Sequence, residues 1–77
     1  MNANKTLDVI GQSCPMPLLK TKKQLKNMEE GETLKVLATD PSYYGDIDKF
    51  CKSGMAEIVK YQIFDGVFIF YMKKIKK

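Results

Sequence analysis

"YQIFDGVFIF", residues 61–70, is the stretch on which the fold turns. Asp65-Gly66 sits between two runs rich in β-branched and aromatic residues. A two-residue hairpin loop needs positive φ at its central positions, and Asp-Gly is among the pairs that tolerate it best. The flanks extend to "EIVKYQIF" (57–64) and "VFIFYMKK" (67–74). Fixing the turn fixes the register: Phe64 faces Val67, Ile63 faces Phe68, Tyr61 faces Phe70 and Val59 faces Met72. The side holding Val59, Tyr61, Ile63, Phe68, Phe70 and Met72 is wholly apolar and is assigned to the core. The other side mixes Lys60 and Gln62 with Phe64, Val67, Ile69 and Tyr71, as a water-facing sheet surface does. Those four apolar residues form a candidate contact surface for a partner or a weak dimer.

Working back from the hairpin, "YYGDIDKFCKSG" (43–54) reads as a short helix with Ser42 at its N-cap, Gly54 as its stop, and Ile47, Phe50 and Cys51 on its apolar side. Asp40 and Pro41 break the preceding run, "TLKVLAT" (33–39), whose alternating Leu34, Val36 and Ala38 predict a strand. "PMPLLKTKKQLKNM" (15–28) places Leu18, Thr21, Leu25 and Met28 on one helical face, with Lys20, Lys23 and Asn27 opposite. "TLDVI" (6–10) is a β-prone run ended by Gly11. The order is β-α-β-α-β-β. It predicts an α+β fold, a two-layer α/β sandwich with a four-stranded mixed sheet and both helices on one face. At 77 residues the chain is read as a single domain, 1–77.

Composition excludes several functions. No run of about 20 apolar residues predicts a membrane span, and the start "MNANKTLDVI" lacks a secretory signal pattern. Two cysteines are too few for a disulfide scaffold, so a cytoplasmic location with reduced thiols is expected. All 13 basic residues are lysines, against 9 acidic ones. Without arginine, which grips phosphates and bases in a planar fork, direct nucleic-acid binding is not expected. The lysines read as a solvating surface, and the tail "KKIKK" (73–77) as frayed and solvated.

Cys14, in "GQSCPMPLLK" (11–20), is the candidate reactive residue. It falls at the start of the first helix. Pro15 fits the first helical position, where its missing N–H is harmless. Pro17 lies in the same first turn, where backbone N–H groups have no partner within the helix. A helix N-terminus stabilises negative charge by about 0.3–1 kcal/mol, which raises the thiolate fraction. Lys20, Lys22 and Lys23 are close enough in sequence to add to that field. The competing reading is a cysteine that merely fills the core.

With no histidine in the chain, a Cys–His nucleophile is impossible and a zinc site lacks ligands. No C-x-x-C motif occurs. No metal or cofactor is expected. What a thiolate can do without a neighbouring base is attack another sulfur, by disulfide exchange or by accepting a sulfur atom as a persulfide. Cys51, beside Phe50 on an apolar helix face, reads as a core residue, although a Cys14–Cys51 disulfide is conceivable if the Cα atoms lie within about 7 Å. Three classes stay open: a persulfide carrier, a thiol–disulfide redox protein, and a protein- or RNA-binding module in which Cys14 is idle.

"LDVIGQSCPMPLLKTKKQL" (7–25) resembles the opening of the TusA/SirA-like sulfur-carrier family, with its leucine-aspartate strand, its glycine (Gly11) and its C-P-x-P motif. The resemblance continues through "GETLKVLATDP", "DIDKFCKSG" and "DGVFIF". It implies that Cys14 carries sulfur as a persulfide. It also implies a cysteine desulfurase or other sulfur donor, a downstream acceptor protein, and no turnover completed alone. The best-known members pass sulfur toward 2-thiolation of a tRNA wobble uridine; others serve sulfur oxidation, molybdenum-cofactor or selenium metabolism. Ser13 stands where tRNA-thiolation members tend to have a basic residue, and Met16 where they often have an acidic one. The pathway therefore stays open. Pro15, Pro17, Gly11 and Asp40 are the candidate supporting residues. Asp40 reads first as a turn or capping residue, and it falls on the thiol's side of the sheet if the first two strands are parallel. A monomer or weak dimer is expected.

Overall fold

A computed structural model of the chain describes residues 4–13 and 16–75. The elements are β1 (Lys5–Val9), α1 (Met16–Lys26), β2 (Thr33–Ala38), α2 (Tyr43–Cys51), β3 (Ala56–Phe64) and β4 (Val67–Lys74). The four strands form one sheet in the order β1-β2-β4-β3. β1 and β2 run parallel, while β4 runs antiparallel to both β2 and β3. The predicted order, the mixed sheet and the two-layer architecture are all present.

The hairpin forms as its residues dictate. Asp65 and Gly66 take φ of 52° and 78°, and Phe64 pairs with Val67 across them. A β-carbon at Gly66 would meet no atom within 4 Å, so backbone strain alone would penalise a side chain there. The predicted pairs hold as far as Tyr61 and Phe70. The register then shifts between Ile58 and Lys60, and Ile58 rather than Val59 faces Met72. Val59 is the extra residue of a β-bulge, so the expected Val59–Met72 pair does not form.

The core lies between the helices and the strands they cover. Val9, Leu34, Val36, Ala38, Phe70 and Met72 rise from the sheet to meet Leu25, Met28, Tyr43 and Ile47. Along α1 the buried residues are Pro17, Thr21 and Leu25, and Leu18 is half-buried beside them. In α2, Ile47 is buried, and Phe50 and Cys51 pack against the core from its rim. The assignment of Val59, Tyr61 and Ile63 to the core is corrected: they are 39%, 38% and 59% exposed. β3 is an edge strand, and although the Tyr44 ring of α2 reaches Tyr61, 5.1 Å between centroids, all three side chains stay partly open to solvent.

Three smaller expectations also change. Ser42 occupies the N-cap of α2 without a side-chain capping bond; its hydroxyl donates instead to Asp40 Oδ1, 3.0 Å away. Tyr71, expected on the open face, is nearly covered, with the Lys35 and Lys60 ammonium groups each 5.8 Å from its ring centroid. The basic tail is not wholly solvated either. Lys73 and Lys74 belong to β4, and Lys74 is only 2% exposed because its Nζ donates to the Leu25 carbonyl at the end of α1. Lys76 and Lys77 lie outside the described residues.

Candidate functional site

Because β1 and β2 are parallel, both deliver their C-terminal ends to the same edge of the sheet, and each helix begins there. The hairpin tip reaches that edge too, since Ala38 pairs with Phe68 and Phe68 with Ile63. The segment carrying Cys14 joins β1 to α1 at this edge. Cys14 and Pro15 themselves lie outside the described residues, so the site is defined by what holds the chain on either side of them.

On the incoming side, the Ile10 amide donates to Asp8 Oδ1 at 2.9 Å, and the Gln12 amide to the Val9 carbonyl at 3.1 Å. These two bonds curl the chain as soon as β1 ends. Gly11 adopts a φ of 82°, a left-handed conformation that explains glycine at this position. Its amide donates to Thr39 Oγ1 at 2.9 Å, which ties the loop to the end of β2. The Gln12 Oε1 atom is buried without a hydrogen-bond partner among the described residues.

On the outgoing side, the Met16 amide donates to the Ser13 carbonyl at 3.1 Å and starts α1. Pro17, predicted in the first turn, is there and is buried. Its carbonyl accepts the Thr21 hydroxyl proton at 2.8 Å, and Thr21 Oγ1 lies 2.7 Å from Tyr43 Oη. Asp40 acts as the turn residue anticipated for it. Its Oδ1 accepts both the Ser42 amide and the Ser42 hydroxyl at 3.0 Å, and its carbonyl accepts the Tyr43 amide at 3.1 Å. Among the expected site residues, the structure thus brings Gly11, Pro17 and Asp40 to one edge. Lys22, one of the lysines expected to bias the field, places its ammonium 5.5 Å from the centroid of the Phe50 ring.

Thr39, Thr21 and Tyr43 are site residues that sequence reasoning missed. Only Thr21 left a signal, as a hydroxyl in an otherwise apolar helix stripe. Large apolar side chains are exposed near this edge, among them Ile10, Met16, Leu19, Tyr44 and Ile63.

Cys51 is a free thiol at the other end of α2. It borders a groove of about 460 Å³ together with Asp48, Glu57, Ile58 and Ile75. Burial pushes its pKa up, and the carboxylates of Asp48 and Glu57 push it further in the same direction. That environment favours the unreactive thiol over the thiolate. A second redox-active cysteine is what a disulfide-exchange protein would need, and Cys51 is poorly suited to the part. Among the described residues no three His, Cys, Asp or Glu side chains group into a metal site, and no helix is long and apolar enough to cross a membrane.

The family model for the sulfurtransferase TusA matches residues 5–74. A protein of Halobacterium salinarum named as a sulfur carrier is 47% identical over 74 residues, spanning 94% of this chain and 90% of its own length. One of Neisseria meningitidis with the same kind of name is 43% identical over 65 residues, spanning 84% of this chain and 88% of its own. A third, from Aquifex aeolicus, is 41% identical over 71 residues, or 92% of this chain, but the chain spans only 36% of that longer protein. The crystal structure of a SirA-like protein from Desulfitobacterium hafniense superposes with a TM-score of 0.80 at 26% identity, covering 94% of this chain and 99% of that one.

Proposed function

The chain belongs to the sulfurtransferase TusA family, and on that premise we propose that it is a cytoplasmic sulfur carrier whose Cys14 accepts sulfur as a persulfide and hands it to an acceptor protein. The donor is a cysteine desulfurase or another protein bearing a persulfide. The Cys14 thiolate attacks the outer sulfur of that persulfide. One S–S bond forms as another breaks, and the donor cysteine leaves as a thiolate. No oxidant, metal or base is consumed, which suits a chain without histidine. Delivery repeats the exchange in the other direction, with the acceptor thiol attacking the outer sulfur.

The observation that carries this reading is the edge itself. Gly11 and Pro17, on either side of Cys14, are held by hydrogen bonds of 2.9 and 2.8 Å, and large apolar side chains stand exposed near them. A carrier needs its sulfur held at a defined place on a surface that other proteins can cover. An enzyme acting on a small molecule would need an enclosed pocket instead. The resemblance points to 2-thiolation of a tRNA wobble uridine as one destination of the sulfur.

The test is intact-protein mass spectrometry after incubation with a cysteine desulfurase, pyridoxal phosphate and cysteine. The expected result is the gain of one sulfur atom on Cys14, reversed by reductant and abolished in Cys14→Ala. No gain, with Cys14 open to an alkylating probe and with persulfide-bearing donors of other kinds also failing, would refute the carrier reading. Salt-sensitive RNA binding that survives Cys14→Ala would then favour a binding module.

A further inference from the structure

Hydrogen bonds from one short segment reach the chain on either side of Cys14, at Gly11 before it and at Thr21 of α1 after it. Thr39, the first residue after β2, holds the Gly11 amide. Tyr43, the first residue of α2, reaches Thr21, which holds the Pro17 carbonyl. We propose that the segment 39–43 is a clamp that positions the Cys14 thiol, with Thr39, Tyr43 and Thr21 as its positioning residues. The proposal rests on Cys14 being the reacting thiol.

The direction of the bonds can be assigned. The Thr21 hydroxyl has one proton and donates it to the Pro17 carbonyl. In the 2.7 Å contact the Tyr43 phenol must therefore be the donor. The chain runs from Tyr43 O–H to Thr21 O–H to the Pro17 carbonyl, three residues beyond Cys14. Burial holds the phenol's pKa well above its ordinary value, so the donor proton is retained throughout the physiological range.

The clamp is stiff at its own base. The Tyr43 ring meets Phe70 edge-on at a centroid distance of 5.1 Å, which fixes it against β4. The Asp40 carboxylate locks the turn between Thr39 and Tyr43 through Ser42. Thr21 and Tyr43 are both essentially unexposed. Filling that space needs no polar atoms; valine and phenylalanine would occupy it without the risk of leaving a buried polar group unpaired. What the hydroxyls add is direction, because a hydrogen bond tolerates little change in distance or angle. The segment also gives Asp40 a role at the site that does not require contact with the sulfur.

The experiment follows the alkylation of Cys14 against pH by peptide-resolved mass spectrometry, alongside thermal unfolding. The variants are Tyr43→Phe, Thr21→Val and Thr39→Val, with Thr21→Ser and Thr39→Ser as conservative rescues. Tyr43→Phe keeps the ring in the core and should remain folded, so it decides the matter even if a valine variant does not fold. The expected result is a Cys14 rate at pH 7 changed by about threefold or more in the Phe and Val variants, equivalent to a half-unit movement of its pH profile. The serine variants, which retain the hydroxyl, should keep the wild-type profile even where they unfold at lower temperature. Cys14 profiles that superimpose on the wild type in Tyr43→Phe and in whichever valine variants fold, with stability alone reduced, would overturn the clamp. Desulfurase-dependent sulfur loading of the wild type, run in parallel, separates the two ideas. Clamp-dependent alkylation without loading from the desulfurase or from any other persulfide-bearing donor would sink the carrier and leave the clamp standing, and loading with clamp-independent alkylation would do the reverse.

Discussion

Phe70 is the residue whose truncation should cost this fold most. It is fully buried at the middle of β4, with Val36 opposite on one side and Tyr61 on the other. Three tyrosine rings surround it: Tyr43 at 5.1 Å, Tyr61 at 4.8 Å and Tyr44 at 5.8 Å between centroids. Replacing a buried phenylalanine with alanine costs about 3–5 kcal/mol through lost transfer energy and the cavity left behind. Each aromatic pair adds about 0.5–1.5 kcal/mol beyond area burial. Losing three pairs puts Phe70→Ala near the upper end, at about 5 kcal/mol. Phe70→Leu keeps most of the volume and loses the ring contacts, so about 2 kcal/mol is expected. A domain of this length has a total stability of roughly 4–12 kcal/mol. Phe70→Leu should therefore fold, with its melting temperature lowered by about 8–16 °C, while Phe70→Ala should sit at the margin. Urea unfolding followed by circular dichroism, with the m-value held constant, measures both. A loss below about 1 kcal/mol for Phe70→Ala would refute the claim that the sheet and α2 are joined through this ring.

Two further perturbations test the termini of the helices. Lys74→Met keeps the buried stem and removes the ammonium that caps the Leu25 carbonyl. It should cost about 1 kcal/mol, because a charged hydrogen bond worth about 1.5–3 kcal/mol is partly offset by relief of the buried charge. Lys74→Ala should cost about 2 kcal/mol more for the lost methylenes, and a Met variant more stable than the wild type in urea would show that desolvation dominates. Cys51, whose folded pKa is raised, contributes stability that is complete below the unfolded thiol's pKa near 9.0 and is lost as pH rises through the folded value. In Cys14→Ala protein, Cys51 should alkylate more slowly at pH 8–9 than the same thiol in urea; equal rates would contradict the buried environment described for it.

The hairpin was legible because its chemistry is local: Asp65 and Gly66 can take positive φ, and the flanking residues need nothing further. The order of elements followed from periodicity alone. What the sequence hid was the place of β3 in the sheet. Val59, Tyr61 and Ile63 alternate as a core strand should, yet pairing places β3 at the edge, where even Tyr61, in contact with the Tyr44 ring of α2, stays partly exposed. Strand order is a matter of contacts between distant segments, and so is the bulge that displaces Val59. Lys74 hid in a run of lysines because its burial depends on the end of α1, nearly fifty residues away in sequence. At the site, Cys14 and its prolines stood out as a pattern. Thr39 and Tyr43 did not, because their partners lie on the first third of the chain and no local motif marks them.

The bulge at Val59 also bears on how this protein behaves in a crowded solution. β3 presents nine residues at an open edge, several of them apolar and exposed, which is the usual invitation for a stray chain to add itself and seed an aggregate. The interruption divides that edge into runs of three and five residues, Ala56 to Ile58 and Lys60 to Phe64, and twists one against the other. A straight six- or seven-residue strand, the length that amyloid stacking requires, finds no matching template on either run. Straightening the edge by deleting Val59 would keep every other pairing partner in place and remove that protection.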